Sequence, residues 1–332
     1  MALLRVAVLA LLLTSSLVYA GKEIERSCCS LNKRKSWTVL TDDEKAEYLR
    51  AEICLMNHPP LLGTVEGAKS IWDELHHTHI WQGNYVHYVG HFLPWHRYLV
   101  RTHELLLQTL CNYTGSHPYW DEIADWESGP LNKSRIFDST LGFGGNGIGD
   151  SKCVEDGPFK NLVLNIGRDG KNASYCLTRD FHQANFDWAN STYLDECRSI
   201  QNYTAAWACY HAYPHAAGHA GVGGLMYDPI ASNGDPIFYL HHAYMDRLWW
   251  KWQQMDLPRR LHDMGGPNVP DQRVLDSVGL QSPSRSLVDY SGDNGNITTL
   301  RHILWIEGLV PNVTVADVMN LHGDVICAEY ID

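Results

Sequence analysis

The chain has 332 residues, 45% of them hydrophobic, and a formal charge of −12 at neutral pH. That length suits one large domain or two small ones with an ample buried core. The acidic balance disfavours nucleic acid or an anionic membrane as partner and suits a neutral or cationic small molecule. No repeat of fixed period and no low-complexity tract interrupts the chain, which argues against a solenoid or a linker-dominated protein.

Residues 1–20 read as a secretory signal: Arg5 is a short basic start, Val6 to Val18 is mostly apolar, and Val18-Tyr19-Ala20 offers a small-residue cleavage site. No later apolar run nears the ~20 residues of a membrane span. The expected product is therefore a soluble, secreted chain of one domain over 21–332, with a charge of −13 once Arg5 is removed. Seven glycosylation sequons, at Asn112, Asn132, Asn172, Asn190, Asn202, Asn296 and Asn312, agree with export. Nine cysteines then imply disulfides whose pairing the sequence does not specify, with one thiol left over.

Thr41-Asp42-Asp43-Glu44 is a capping box that should open a helix running to about Met56. Pro59, Pro60 and Gly63 break the chain, and a second helical pattern begins at Thr64, carrying Ile71, Leu75 and His79, with His79 near its end. A third helix is predicted from Pro94 to about Leu110, proline being favoured in a first turn. The stretch from Asn112 to Asn202, rich in Gly, Asn and Asp, reads as long loops pinned by disulfides. A fourth helix is expected over roughly Tyr203 to His219, and a fifth from Asp235-Pro236 to about Met255, with loops and short strands elsewhere.

Eighteen histidines are many, yet an isolated histidine is usually a surface or hydrogen-bonded core residue, so spacing has to carry the argument. His215 and His219 stand four apart in a helix, which puts both imidazoles on one face where they could hold one ion. Two assemblies of similar composition occur: His79, His87 and His96, then His215, His219 and His242. Phe92 and Phe238 each sit four residues before a proposed ligand, one turn of apolar packing beneath it. His76, His77, His91, His103 and His117 read as exposed or structural.

At these residues the chain resembles the type-3 copper proteins of the tyrosinase and catechol oxidase group, most like the short secreted fungal members. The resemblance spans about Asp73 to Gln253 and rests on two motifs. His87 is followed nine residues later by Trp95-His96-Arg97, and Asp235-Pro236-Ile237-Phe238 leads through His241-His242 to Asp246-Arg247-Leu248-Trp249. It implies a mainly α fold with a central four-helix bundle around a dinuclear copper site, long disulfide-pinned loops and few short strands. Carried over, it assigns His79, His87 and His96 to one copper and His215, His219 and His242 to the other, with His241 a neighbouring non-ligand. All-imidazole ligation suits copper in both oxidation states. Asp246, one turn beyond His242, is expected to order this helix or to pair with a nearby arginine.

The activity implied is oxidation of o-diphenols or o-aminophenols to quinones, with two copper ions as cofactor and dioxygen as co-substrate. In members that hydroxylate monophenols well, the position after the first ligand of the second copper is often Asn, and a Glu lies about nine residues earlier. Ala216 and Ala206 stand there and offer no acceptor for a phenol proton, so weak monophenol hydroxylation is expected. Tyr85 replaces the cysteine that several members cross-link to a ligand histidine, so no thioether is expected. The residues after Trp249, closing on Cys327-Ala328-Glu329-Tyr330, read as the end of the core domain with no C-terminal shielding domain. The alternatives are a monooxygenase tailoring a tyrosine-containing metabolite such as a ustiloxin-like cyclic peptide, an oxygen carrier without turnover, a zinc hydrolase, and a structural glycoprotein. The absence of His-Glu-X-X-His weighs against zinc. The Trp81 to Trp95 and Trp249 to Trp252 stretches are expected to fill core.

Overall fold

The computed structural model describes residues 28–293 and 296–331, and for the backbone also 16–19 and 22–25. The signal-peptide expectation for 1–20 falls outside the described residues apart from Ser16–Tyr19, which pairs antiparallel with Lys22–Glu25.

The Thr41 capping box forms as read, its hydroxyl accepting from the Glu44 amide while the Glu44 carboxylate accepts from the Thr41 amide, and opens the helix Asp42–Asn57. The second helix departs from expectation. It does not begin near Thr64 but at Ile71, because Ser70 and Asp73 form a second capping box, and it runs on to Val86. His79 therefore lies in mid-helix rather than near the end. Pro94 falls within the first turn of the third helix, Phe92–Leu110. The fourth element is broken into Tyr203–Tyr210, a π-helical turn His211–His215 and Ala216–Val222. The fifth, Ile237–Gln254, is nearly continuous core, with only Lys251 and Gln254 exposed.

These last four helices make the bundle, and Phe92–Leu110 packs most extensively on Ile237–Gln254. Around them the strands pair only in twos. Asn32–Arg34 lies parallel to Ala328–Tyr330, and the Cys28–Cys327 bridge closes this junction of the two chain ends. Cys54–Cys111 ties the first helix to the third, Cys153–Cys176 pins the middle loops, and Cys197–Cys209 anchors the start of the fourth helix. Cys29, exposed, stands outside these four bridges. Trp95, Trp249, Trp250 and Trp252 fill core, whereas Trp81 is half exposed.

Candidate metal centre

In the first half of the site, local backbone sets two of the three rings. The second helix stops at Val86, one turn past Gly83. His87 occupies the C-cap and its Nδ1 donates to the Gly83 carbonyl at 2.8 Å. His96 Nδ1 donates to the Phe92 carbonyl four residues back, also at 2.8 Å. His79 reaches across the fold instead, to the Ile230 carbonyl at 2.8 Å. Gly83 permits that approach: a Cβ there would meet the Ile230 side chain at 2.7 Å and the Pro229 carbonyl at 3.3 Å.

The second half depends more on tertiary contacts. Pro214 cannot donate a helical hydrogen bond, and the helix widens to π geometry around it. His219 Nδ1 donates to the Met226 carbonyl at 2.6 Å. His242 comes from the last helix and lies with its Nε2 3.3 Å from His219 Nε2. Beside it, His241 Nδ1 bonds the buried carboxyl of Glu122. Gly218 leaves room for that pair, since a Cβ would meet His241 Nδ1 at 2.3 Å and Glu122 Oε1 at 2.9 Å. Burial pushes Glu122 well above the carboxylate range and His241 down to about 3, disfavouring charge on both.

The tautomers follow from these partners. A carbonyl oxygen only accepts, so Nδ1 of His79, His87, His96 and His219 carries the proton and Nε2 keeps its lone pair. Nε2 of His79, His96 and His215 is buried with no hydrogen-bond partner, as is Nδ1 of His242. One nitrogen from each of His79, His87 and His96 falls within 4.8 Å of the others, and the same holds for His215, His219, His241 and His242. His96 stacks on His242 at 4.2 Å between centroids, which brings the two groups face to face. Burial lowers His87 to about 4 and the other five far below the usual imidazole range, so all six are neutral at pH 7, the form a metal requires. Six neutral rings, four of them with a buried nitrogen that no protein group answers, are a donor set that fits copper.

Phe92 and Phe238 do more than support their own helix turn. Phe92 contacts His96 and His215, both at 4.7 Å, while Phe238 contacts His79 at 5.1 Å and His242 at 4.2 Å. Each wedges between the halves. Asp246 touches none of these imidazoles: it bonds Arg97, Arg34 at 3.3 Å and Tyr330 at 2.7 Å in a buried network. Arg97 directly follows His96, and Asp246 lies one turn past His242, so their ion pair locks together the two helices that carry those rings. Of the two readings of Asp246, the structure shows the arginine pair. Asp235 of the second motif is likewise structural, forming a two-pronged pair with Arg179 at 2.8 Å, whose guanidinium also holds the Phe143 and Gly144 carbonyls.

His76, His91, His103 and His117 are buried rather than exposed, each with hydrogen-bond partners outside the two groups, and His77 bonds Glu307 at 2.7 Å. The Tyr85 hydroxyl bonds Ser291 at 2.6 Å. A cavity of about 710 Å³ opens over His87, His215 and His219, walled by Tyr88, His211, Ala216, Ala220, Tyr227 and Pro229 among others. Sequence reasoning missed Glu122 and His211. His211 had a signal, since it stands four residues before His215 and so shares its helix face; Glu122 had none.

Helical bundle and paired imidazole groups together define a dinuclear metal centre of the oxygen-handling kind. Residues 69–255 match the common central domain of tyrosinase. The chain is 33% identical over 315 residues to Tyrosinase ustQ of Aspergillus flavus, covering 90% of this chain and 78% of that protein. It is 31% identical over 317 residues to the tyrosinase-like protein phomQ2 of Diaporthe leptostromiformis, covering 91% and 74%. It superposes on a polyphenol oxidase variant from Thermothelomyces thermophila with a TM-score of 0.76 at 26% identity, over 91% of this chain and 89% of that one. The chain belongs to the tyrosinase family; it is a copper oxidase that uses a dinuclear copper centre and dioxygen.

Proposed function

We propose that this chain oxidises o-diphenols or o-aminophenols to quinones, with one copper held by His79, His87 and His96 and the other by His215, His219 and His242. The reading rests on two facing sets of buried imidazoles, in which nitrogens of His79, His96, His215 and His242 have no protein partner, beneath a cavity large enough for a phenol. His241 is read as a supporting residue because Glu122 already engages its ring. Copper supplies dioxygen binding and the two-electron change. The protein fixes each tautomer through a carbonyl, excludes water from the ligand nitrogens and shapes the approach of the substrate ring.

Ala216 lines the cavity and Ala206 is buried, so neither position offers an acceptor for the phenol proton, which supports weak monophenol hydroxylation. The test is copper content with the absorption spectrum after reduction and exposure to oxygen, or after hydrogen peroxide. Two coppers per chain, a strong near-ultraviolet band and catechol turnover are expected. Stoichiometric zinc, or no metal under copper-replete conditions, would overturn the reading; oxygen binding without catechol consumption would favour a carrier.

One observation favours a second reading, a monooxygenase acting on a tyrosyl peptide: about 710 Å³ exceeds what a single aromatic ring occupies. Lag-free hydroxylation of such a peptide by the pure protein would establish it in place of the first. We further read 21–332 as one copper domain with an uncovered cavity, exported and glycosylated. The four disulfides support export, and six sequon asparagines are exposed while Asn190 is half-buried. No helix among the described residues is long and apolar enough to cross a membrane. Loss of mass on endoglycosidase treatment checks the glycans.

A further inference from the structure

The cavity over the metal centre has a neighbour. A second cavity of about 620 Å³ is walled by Lys152, Thr178, Asp180, His182 and Asn185 among others, and Tyr227, 68% exposed, belongs to the wall of both. The strip of chain between them is closely held. Gly223 and Gly224, at φ of 65° and 54°, lie where a Cβ would meet the Asp180 carbonyl at 2.1 Å and the Thr178 carbonyl at 2.4 Å. Across that contact the Leu225 amide donates to the Thr178 carbonyl at 3.0 Å, and the Asp180 amide to the Val222 carbonyl at 3.1 Å. Met226, which follows Leu225, supplies the carbonyl that orients His219. One hydrogen-bonded turn therefore joins the wall of the second cavity to a ring of the centre.

Lys152 is the sole lysine or arginine among the described residues that line either cavity. Its backbone takes φ of 55°, uncommon for a residue with a Cβ. The bridge from the next residue, Cys153, to Cys176 and the Arg179 amide, which donates to the Lys152 carbonyl at 3.1 Å, hold it there. Strained backbone of this kind persists where its surroundings over-determine it, and it clusters at ligand sites. The Lys152 ammonium lies 3.2 Å from Asp180, with the two side chains 45% and 37% exposed. So exposed a pair adds little stability, and Asp180 takes one of the ammonium's three donors, so a second carboxylate can join it.

Building on the oxidase reading above, we propose that the second cavity is a subsite for the tail of an elongated phenolic substrate. The dihydroxyphenyl ring lies over the centre, a short peptide tail crosses Tyr227, and its terminal carboxylate pairs with Lys152. A tail of about two or three residues, at roughly 3.5 Å each, spans from one cavity into the next. The net negative charge of the chain does not favour anions in general, so a carboxylate gains only where it reaches Lys152 itself. Lys152 is thus a specificity residue, remote from the reacting atoms.

The test uses the copper-loaded protein and 3-(3,4-dihydroxyphenyl)propanoic acid, alone or extended by one to three glycines, each as the free acid and as the terminal amide. The ratio of kcat/KM for acid over amide is read within each protein, which makes it independent of how much active enzyme a variant yields. Wild type should show no preference without glycine and about a fivefold preference for the acid at two or three glycines. Lys152→Met should bring the ratio to about one at every length, while Lys152→Arg should keep the wild-type pattern. An acid preference of one size at every length would report the general field rather than a subsite. A preference that survives Lys152→Met would place the carboxylate elsewhere, and acid and amide turned over alike by wild type at every length would detach the tail from Lys152; each of these results overturns the proposal. A wild-type protein without copper or catechol turnover would instead overturn the oxidase reading.

Discussion

The two halves of the site reach the same outcome by different means. In the first, His87 and His96 donate to carbonyls four residues back, so each helix orients its own ring. In the second, His219 relies on the Met226 loop, His242 on stacking with His96, and the neighbouring His241 on a glutamate from another helix. The first half also lies deeper, contributing only His87 to the cavity wall, whereas His215 and His219 face it. Rings set locally, as His87 and His96 are, tolerate change elsewhere in the fold; rings set across it, His79 on Ile230 and His241 on Glu122, depend on every segment that meets there.

Removing a ring should erase the asymmetry. His96→Ala and His242→Ala are each expected to lower copper from two ions per chain to about one and to cut catechol oxidation roughly a thousandfold, because the reaction needs both ions. Metal analysis beside oxygen-uptake kinetics checks this, and one variant retaining most of its activity would show that the halves are not partners.

Next in size is the network beneath both halves. Asp246→Ala leaves Arg97 and Arg34 buried without their shared carboxylate, which should cost about 3–5 kcal/mol. Denaturant unfolding measures it. Since the ion pair joins the helices of His96 and His242, copper should weaken in both halves alike, and loss confined to one would contradict the lock described here.

The glycines separate the halves. Gly83→Ala pushes Ile230 away and takes the carbonyl from His79, so copper affinity of the first half should fall about 10–100-fold with the second unchanged. Gly218→Ala, intruding on His241 and Glu122, should reverse that pattern. Stepwise metal titration resolves the two, and identical titrations for both variants would erase the distinction.

The smallest effect is on pH. Burial holds His76 and His87 at about 4 in the folded protein, against an ordinary 6.5. The unfolded chain therefore takes up these protons first. Metal-free protein should keep its full stability above pH 6.5 and lose it progressively toward pH 4, by about 5 °C in melting temperature. Copper-loaded protein should resist the early part of that decline at His87, and a flat melting temperature across the window would contradict the buried neutral state.

Helix starts and the histidine spacing were legible because each depends on a few adjacent residues. Thr41 with Glu44 satisfies its own helix end, and a four-residue separation puts His215 and His219 on one face in any helix. The second helix shows the limit. Ser70 with Asp73 outcompeted the Thr64 start, since a closed capping box stabilises a helix end more than apolar periodicity alone. The two histidine groups were readable as two lists, but that they stack at His96 and His242 came only with the bundle.

What the sequence by itself determined is the two histidine groups, marked by their spacing and by resemblance to the type-3 copper proteins, and most of the helices around them. What only the tertiary structure decided is which nitrogen of each ring stays free, that Glu122 claims His241, and that His211 stands over the cavity without a partner. The free nitrogen of His79 and the Glu122 contact of His241 each depend on an atom more than a hundred residues away, and the place of His211 on a π-widened turn; no local pattern encodes a contact whose other half arrives only when the chain has folded.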